Sequence, residues 1–155
     1  MVGRVEAAMP FHAYRAAHPG SYLAHAFTTA EGKLIQPLEL GYYADDDTIT
    51  VFKGDPVMAL PPDHVFKDQG TVERLDLGAV RLGPEAALAK AVQEQDERYP
   101  KHETRKAVLI LQQRDVALWN ITLVTATLQM INLRIDAATG AVLSCSLRSI
   151  MDLAQ

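Results

Sequence analysis

Trp119–Leu143 reads WNITLVTATLQMINLRIDAATGAVL: a strand, a tight turn, a second strand, a glycine-containing turn and the start of a third strand. Trp119, Ile121 and Leu123 alternate with Asn120 and Thr122, and Ile131, Leu133 and Ile135 alternate with Asn132, Arg134 and Asp136. In the third run Leu143, Cys145 and Leu147 fall on one side and Val142, Ser144 and Ser146 on the other. Successive side chains of a strand point to opposite faces, so this alternation predicts a sheet with one buried and one wetter face. No catalytic signature lies on it.

Working outward, four strands are expected in close order at Arg105–Gln113, Val116–Thr125, Leu128–Asp136 and Ala141–Leu147. Their short links imply antiparallel neighbours. The first is apolar on both sides, Val108 and Ile110 against Leu109 and Leu111. Such a strand is expected to be covered on both faces, either by the N-terminal half or by a second copy in a homodimer. Before it, Gly83-Pro84-Glu85 opens a helix, with proline at the first helical position and an acid in the first turn. Leu88, Ala91 or Val92, Gln95 and Tyr99 form its inward stripe, and Pro100 ends it. After the sheet, Arg148–Ala154 is expected to be a short terminal helix.

The N-terminal half has weaker periodicity. A short helix is expected from Pro10 to Ala17, with Met9, Tyr14 and Ala17 sharing a face, and a separate helical turn before it. Ser21–Thr29 and Lys33–Tyr43 read as strands joined by an Ala30-Glu31-Gly32 turn, with Pro37 marking an edge or a bulge. In the first, Tyr22, Ala24 and Ala26 alternate with Leu23, His25 and Phe27. Thr48–Lys53 (TITVFK) is a strand. Val57–Gly70 carries two prolines and no steady period, so a long loop with one helical turn at Pro62–Val65 is expected, followed by a strand at Thr71–Leu77. The fold class is thus α+β, a helix on a curled antiparallel sheet. The two halves, 1–78 and 79–155, read as two tandem helix-plus-sheet units or as one compact domain.

With 155 residues, 48% of them hydrophobic, the chain can bury a core without disulfides or metals. A net charge of −4 and a pI of about 5.7 suit a soluble protein and argue against a nucleic-acid or anionic-membrane binder. No apolar run is long enough to span a bilayer. The start, MVGRVEAAMPFHAYRAAHPG, has no apolar leader core. The expectation as the sequence stands is a cytoplasmic protein, and an exported chain with its leader removed would read the same.

From Pro84 onward the chain resembles the PepSY-like group of small domains. The resemblance rests on the EAALAKA helix, the strand WNITLV and the run LRIDAATGAVL. Ile135–Val142 fits that group's "(V/I)DA-x-TG-x-(V/I)" turn position by position. The resemblance covers about the last seventy residues and implies a PepSY- or cystatin-like helix over a curled sheet. In it Asp136 and Thr139 would bond turn backbone and Gly140 would take the unusual φ. It further implies inhibitory or binding roles, usually outside the cytoplasm, and brings no catalytic residues.

His12, His18, His25, His64 and His102 show no paired metal-ligand spacing, so no metal is expected. Asp45-Asp46-Asp47 lacks the glycine and glutamate that a calcium loop needs, and reads as a solvated turn. Cys145 is expected to be buried and structural. There is no nucleophile elbow and no phosphate-cradling loop, hence no expected cofactor. The most suggestive surface is the polar side of the late strands. Asn120, Thr122, Asn132 and Arg134, flanked by Ser144 and Ser146, form a face suited to a peptide or small anion, with Arg134 as the charge partner.

Three functions fit. The first is a non-catalytic protein- or peptide-binding or inhibitory module of PepSY-like type. The second is a cytoplasmic toxin-immunity or regulatory partner. The third is a cone-shaped α+β small-ligand binder or enzyme, with its pocket between the long helix and the sheet.

Overall fold

A computed structural model of the chain describes residues 1–65 and 71–150. Among them lie three helices and ten strands, and every resolved strand pairing is antiparallel. The α+β reading holds, and the sheet is not closed into a barrel. The chain divides into two compact units. Unit 1 holds 1–27 and 37–75; unit 2 holds 28–36 and 76–155. The 28–36 hairpin belongs with the C-terminal unit.

In unit 1, α1 (Val2–Glu6) and α2 (Met9–Ala17) precede β1 (Tyr22–Glu31), β3 (Glu39–Tyr43) and β4 (Thr48–Lys53). β3 lies between β1 and β4, and β4 also takes two short strands, β5 (Met58–Ala59) and β6 (Asp63–His64). Pro10 sits in the first turn of α2, where its missing N–H costs nothing. The inward residue of α2 is Phe11, whereas Met9, expected to share a face with Tyr14 and Ala17, is 83% exposed. The ring of Phe11 lies 4.8 Å from Tyr42 and 5.4 Å from Phe52, centroid to centroid. The Tyr42 hydroxyl donates to Glu6 (3.1 Å), and the Tyr14 hydroxyl donates to the Tyr42 carbonyl (3.2 Å). Rings of this size fill a small core, and their hydroxyls find partners at its margin.

Several expectations fail here for identifiable reasons. Pro37 does more than mark an edge: it divides Lys33–Tyr43 into β2 (Leu34–Ile35) and β3, with residues 36–38 in neither. The turn before β2 falls at Gly32-Lys33, where Gly32 takes φ 57°. At Pro62–Val65 there is no helical turn, because Asp63 and His64 pair with Ile49 and Thr48. Part of the expected Val57–Gly70 loop lies outside the described residues. Thr71–Leu77 is not a strand: the Leu75 N–H bonds the Leu23 carbonyl (2.9 Å), and a 3-10 turn follows at Leu77–Ala79. Finally, a bulge between Leu23 and His25 puts both Leu23 and Ala24 in the core, breaking the expected alternation.

Unit 2 is more regular. α3 (Pro84–Arg98) lies on β7 (Thr104–Arg114), β8 (Val116–Thr125) and β9 (Gln129–Asp136), with β10 (Val142–Ser149) beyond β9. The Thr28–Glu31 end of β1 and its partner β2 also belong to this unit. Ala87, Leu88, Ala91 and Gln95 form the buried stripe of α3, while Tyr99 is half-buried. Leu109, Ile121, Leu123, Ile131, Leu133 and Ile135 face the helix and are fully buried. Each contributes about 1.5–3 kcal/mol of apolar burial. Trp119 sits in the same layer, 1% exposed, and its indole N–H donates to the Leu82 carbonyl at 3.0 Å.

The opposite face of β7 is less closed than its composition predicts, since Val108 and Ile110 are half-buried. β10 departs further. A bulge between Val142 and Ser144 sets Val142 opposite Ile135, and it leaves Leu143, expected inside, 50% exposed. Cys145 is half-buried instead of buried, and burial pushes its thiol pKa up. Arg148 and Ser149 extend the strand, and a helical residue follows only at Ile150; the remainder of that expected helix falls outside the described residues.

Candidate functional site

The polar residues expected to bind a ligand do share one face, but three of them are occupied with one another. Asn120 lies opposite Arg134, and Thr122 opposite Asn132. The Asn132 side-chain amide donates to Asn120 Oδ1 (2.8 Å) and Thr122 Oγ1 (3.2 Å), with a longer contact to the Ile121 carbonyl (3.4 Å). On a half-buried sheet face such a network satisfies groups that would otherwise lose their solvation. Arg134 remains exposed, facing Ser144 across β9 and β10. The face therefore presents one exposed guanidinium beside a self-satisfied amide ladder.

The turn between β9 and β10 is built by Asp136, Thr139 and Gly140. Asp136 Oδ1 accepts from the backbone N–H of Ala138 (2.8 Å) and Thr139 (3.0 Å). Thr139 Oγ1 accepts from Ala141 (3.2 Å), and Gly140 takes φ 78°. All these contacts are internal to the turn, which is structural geometry.

A different concavity lies on the helix side of unit 2. α3, the hairpin of β1 and β2, and the first residues of β7 enclose a half-open cleft of about 900 Å³. From the helix come Glu85, Leu88, Ala89, Val92, Gln93, Asp96 and Glu97. They recur at three- and four-residue intervals, so they form one stripe along almost the whole of α3. Glu85 to Glu97 spans about 18 Å at 1.5 Å per residue. Ala30 and Ile35 of the hairpin and Ala107 of β7 supply apolar lining opposite. Space exists because Ala30, Ala89 and Ala107 each place a single methyl where a larger side chain would fill the gap.

Gln95 closes one end of this cleft. It is 1% exposed; its amide donates to the carbonyls of Tyr99 (3.0 Å) and His102, and its oxygen accepts from the Thr104 hydroxyl (3.2 Å). One side chain thus ties the carboxyl end of α3 to the start of β7. Sequence periodicity placed Gln95 inward without indicating its role. A pocket between the long helix and the sheet is among the expectations from the sequence; its hairpin wall is not, because residues 28–36 lie far from α3 along the chain.

The histidines are dispersed: His12 on α2, His18 after it, His25 on β1, His64 on β6 and His102 before β7. Among the described residues, no group of three or more His, Cys, Asp or Glu is placed to hold a metal ion. No helix among them is long and apolar enough to cross a membrane.

No protein-family model matches the sequence, and no curated protein matches it. In structure, the chain is similar to a protein described as a "putative lipoprotein" from Clostridium difficile 630, with a TM-score of 0.58. The match covers 88% of this chain and 89% of that one at 14% identity. At that identity the likeness establishes the fold alone.

Proposed function

We propose that this chain is a non-catalytic, peptide-binding module of PepSY-like type, and that an extended segment of a partner protein occupies the α3 cleft. The observation that supports this most is the cleft's shape. The stripe of α3 that lines the cleft runs along about 18 Å of helix, apolar at its centre (Leu88, Ala89 and Val92) and polar toward its ends, facing a hairpin that contributes Ala30 and Ile35. An extended chain rises about 3.3 Å per residue, so five or six residues of peptide match that length. A compact metabolite would leave much of the cleft wet. Charged groups lie around the apolar centre, the arrangement expected of a site that buries alternate side chains and orients the rest. The helix-before-sheet order and the IDAATGAV turn support the PepSY-like part of the reading.

The test selects peptides from a random phage-displayed library on the intact protein and measures their binding by fluorescence anisotropy. Ala89 lines the cleft and is exposed, so Ala89→Trp fills the cleft without crowding the core. Selected peptides should bind Ala89→Trp at least about tenfold more weakly, a loss of 1.4 kcal/mol, and bind Arg134→Ala unchanged. Peptides insensitive to Ala89→Trp, or a library that yields no binder, would overturn the assignment. Loss in Arg134→Ala alone would move the site to the polar sheet face.

A further inference from the structure

The charged groups around the cleft are not equivalent once their ion pairs are taken into account. On the strand side Arg105 pairs with Glu103 at 3.7 Å, and Lys106 pairs with Glu31 at 3.5 Å. Lys33, at the tip of the hairpin, is the cation of that wall left without an ion pair among the described residues. On the helix side Glu85, Asp96 and Glu97 all line the cleft, all are exposed, and among the described residues none is in an ion pair. Glu97 accepts only the neutral Gln93 amide, at 3.3 Å. Both cations of the helix's own ion pairs, Lys90 and Arg98, go to Glu94, which does not line the cleft.

After pairing, three uncompensated carboxylates therefore face one uncompensated ammonium. The acids stand at positions 85, 96 and 97, at the two ends of the helix wall, with Leu88, Ala89 and Val92 between them. From this distribution, and resting on the peptide reading above, we propose that the cleft selects a cationic, apolar segment. Its Lys or Arg side chains lie along the α3 wall, and its apolar side chains enter between α3 and Ala30, Ile35 and Ala107. The charges fix which way the segment lies and speed its encounter, and the apolar centre holds it. An acidic segment would meet three unpaired carboxylates and be turned away.

Three labelled hexapeptides test this on the full chain: alternating Lys and Leu, alternating Glu and Leu, and alternating Ser and Leu. The Lys–Leu peptide should bind best and weaken as salt is raised, because exposed charge pairs are screened. Asp96→Lys should weaken it about fivefold, as expected for reversing an exposed charge beside a cation. Lys33→Glu, on the opposite wall, should strengthen it, an opposite sign that mere structural damage does not produce. Equal or better binding of the Glu–Leu or Ser–Leu peptide, still lost in Ala89→Trp, would overturn the charge preference and leave the peptide site standing. Lys–Leu binding that Ala89→Trp does not touch, or no binding of any of the three, would overturn both.

Discussion

Unit 1 fills its core with rings, and unit 2 fills its core with branched aliphatic chains. Around Phe11, Tyr42 and Phe52, ring centroids lie 4.8 to 5.7 Å apart. In unit 2 six fully buried Leu and Ile side chains make a continuous layer, with Trp119 as its one large ring. A few large rings fill the small core of unit 1 despite its short strands, its proline break and its bulge. An aliphatic layer needs long, well-registered strands to present it, and β7 to β9 provide them. The same regular layer makes a local shortage of volume visible: where unit 2 carries Ala30, Ala89 and Ala107, a cleft opens.

The largest expected effect tests how far the aliphatic layer depends on its one ring. Trp119→Ala should destabilise the protein by about 3–5 kcal/mol, the usual cost of a large cavity in a packed core. Trp119→Phe keeps most of the volume and loses the bond to the Leu82 carbonyl, so about 1 kcal/mol is expected beyond the change in buried area. Urea midpoints followed by circular dichroism measure both. A loss below 1 kcal/mol for Trp119→Ala would mean that the layer closes without the indole, and that unit 2, unlike unit 1, depends on no ring.

Next in size is the polar clamp that Gln95 makes in unit 2. Gln95→Leu preserves bulk and leaves the Tyr99 and His102 carbonyls and the Thr104 hydroxyl without this partner. A cost of about 1–3 kcal/mol is expected. It should be accompanied by faster amide exchange in residues 99–104, while the strand amides of β8 and β9 keep their protection. Uniform protection across that connection would show that α3 is held by its apolar stripe alone.

The same contrast explains what could be read from the sequence. In unit 2, strands joined by short turns carry strict alternation, so Val116–Thr125 was delimited to the residue and the other three to within a few. Ile135–Val142 carried its own turn chemistry. In unit 1 no such run exists except Thr48–Lys53, which was also delimited correctly. The failures share a cause. At Ala24 and at Leu143 a bulge inserts one residue, and every inference drawn from alternation on one side of it changes face. A bulge is set by the partner strand, which a single run of sequence does not contain. The candidate site was legible only in part, for the same reason. Asn120, Thr122 and Asn132 could be placed on one face, but not their bonds to each other. Leu88, Ala89 and Val92 could be placed on α3, but not the hairpin across from them.

The smallest expected effect returns to unit 1, where a titratable ring lies against backbone. His25 stands opposite Gly41 on β3, and a methyl added at Gly41 would come within 2.1 Å of its ring. The glycine is what lets the imidazole lie flat on the strand, and the burial that results lowers its pKa from the ordinary 6.5. The sign of the consequence follows from proton counting. As pH falls through 6.5 the unfolded chain protonates this histidine, while the folded chain does not until a lower pH. The unfolded state then binds more protons, so stability decreases on acidification across that window and is insensitive to this group above it. His25→Gln removes the group, so the difference in urea midpoint between the two proteins should change between neutral and mildly acidic pH. At mildly acidic pH the variant should gain relative to the parent. A difference that stays constant over that range, or an imidazole proton resonance titrating at or above 6.5, would show that solvent reaches the ring. The close seat on Gly41 would then be packing without electrostatic consequence.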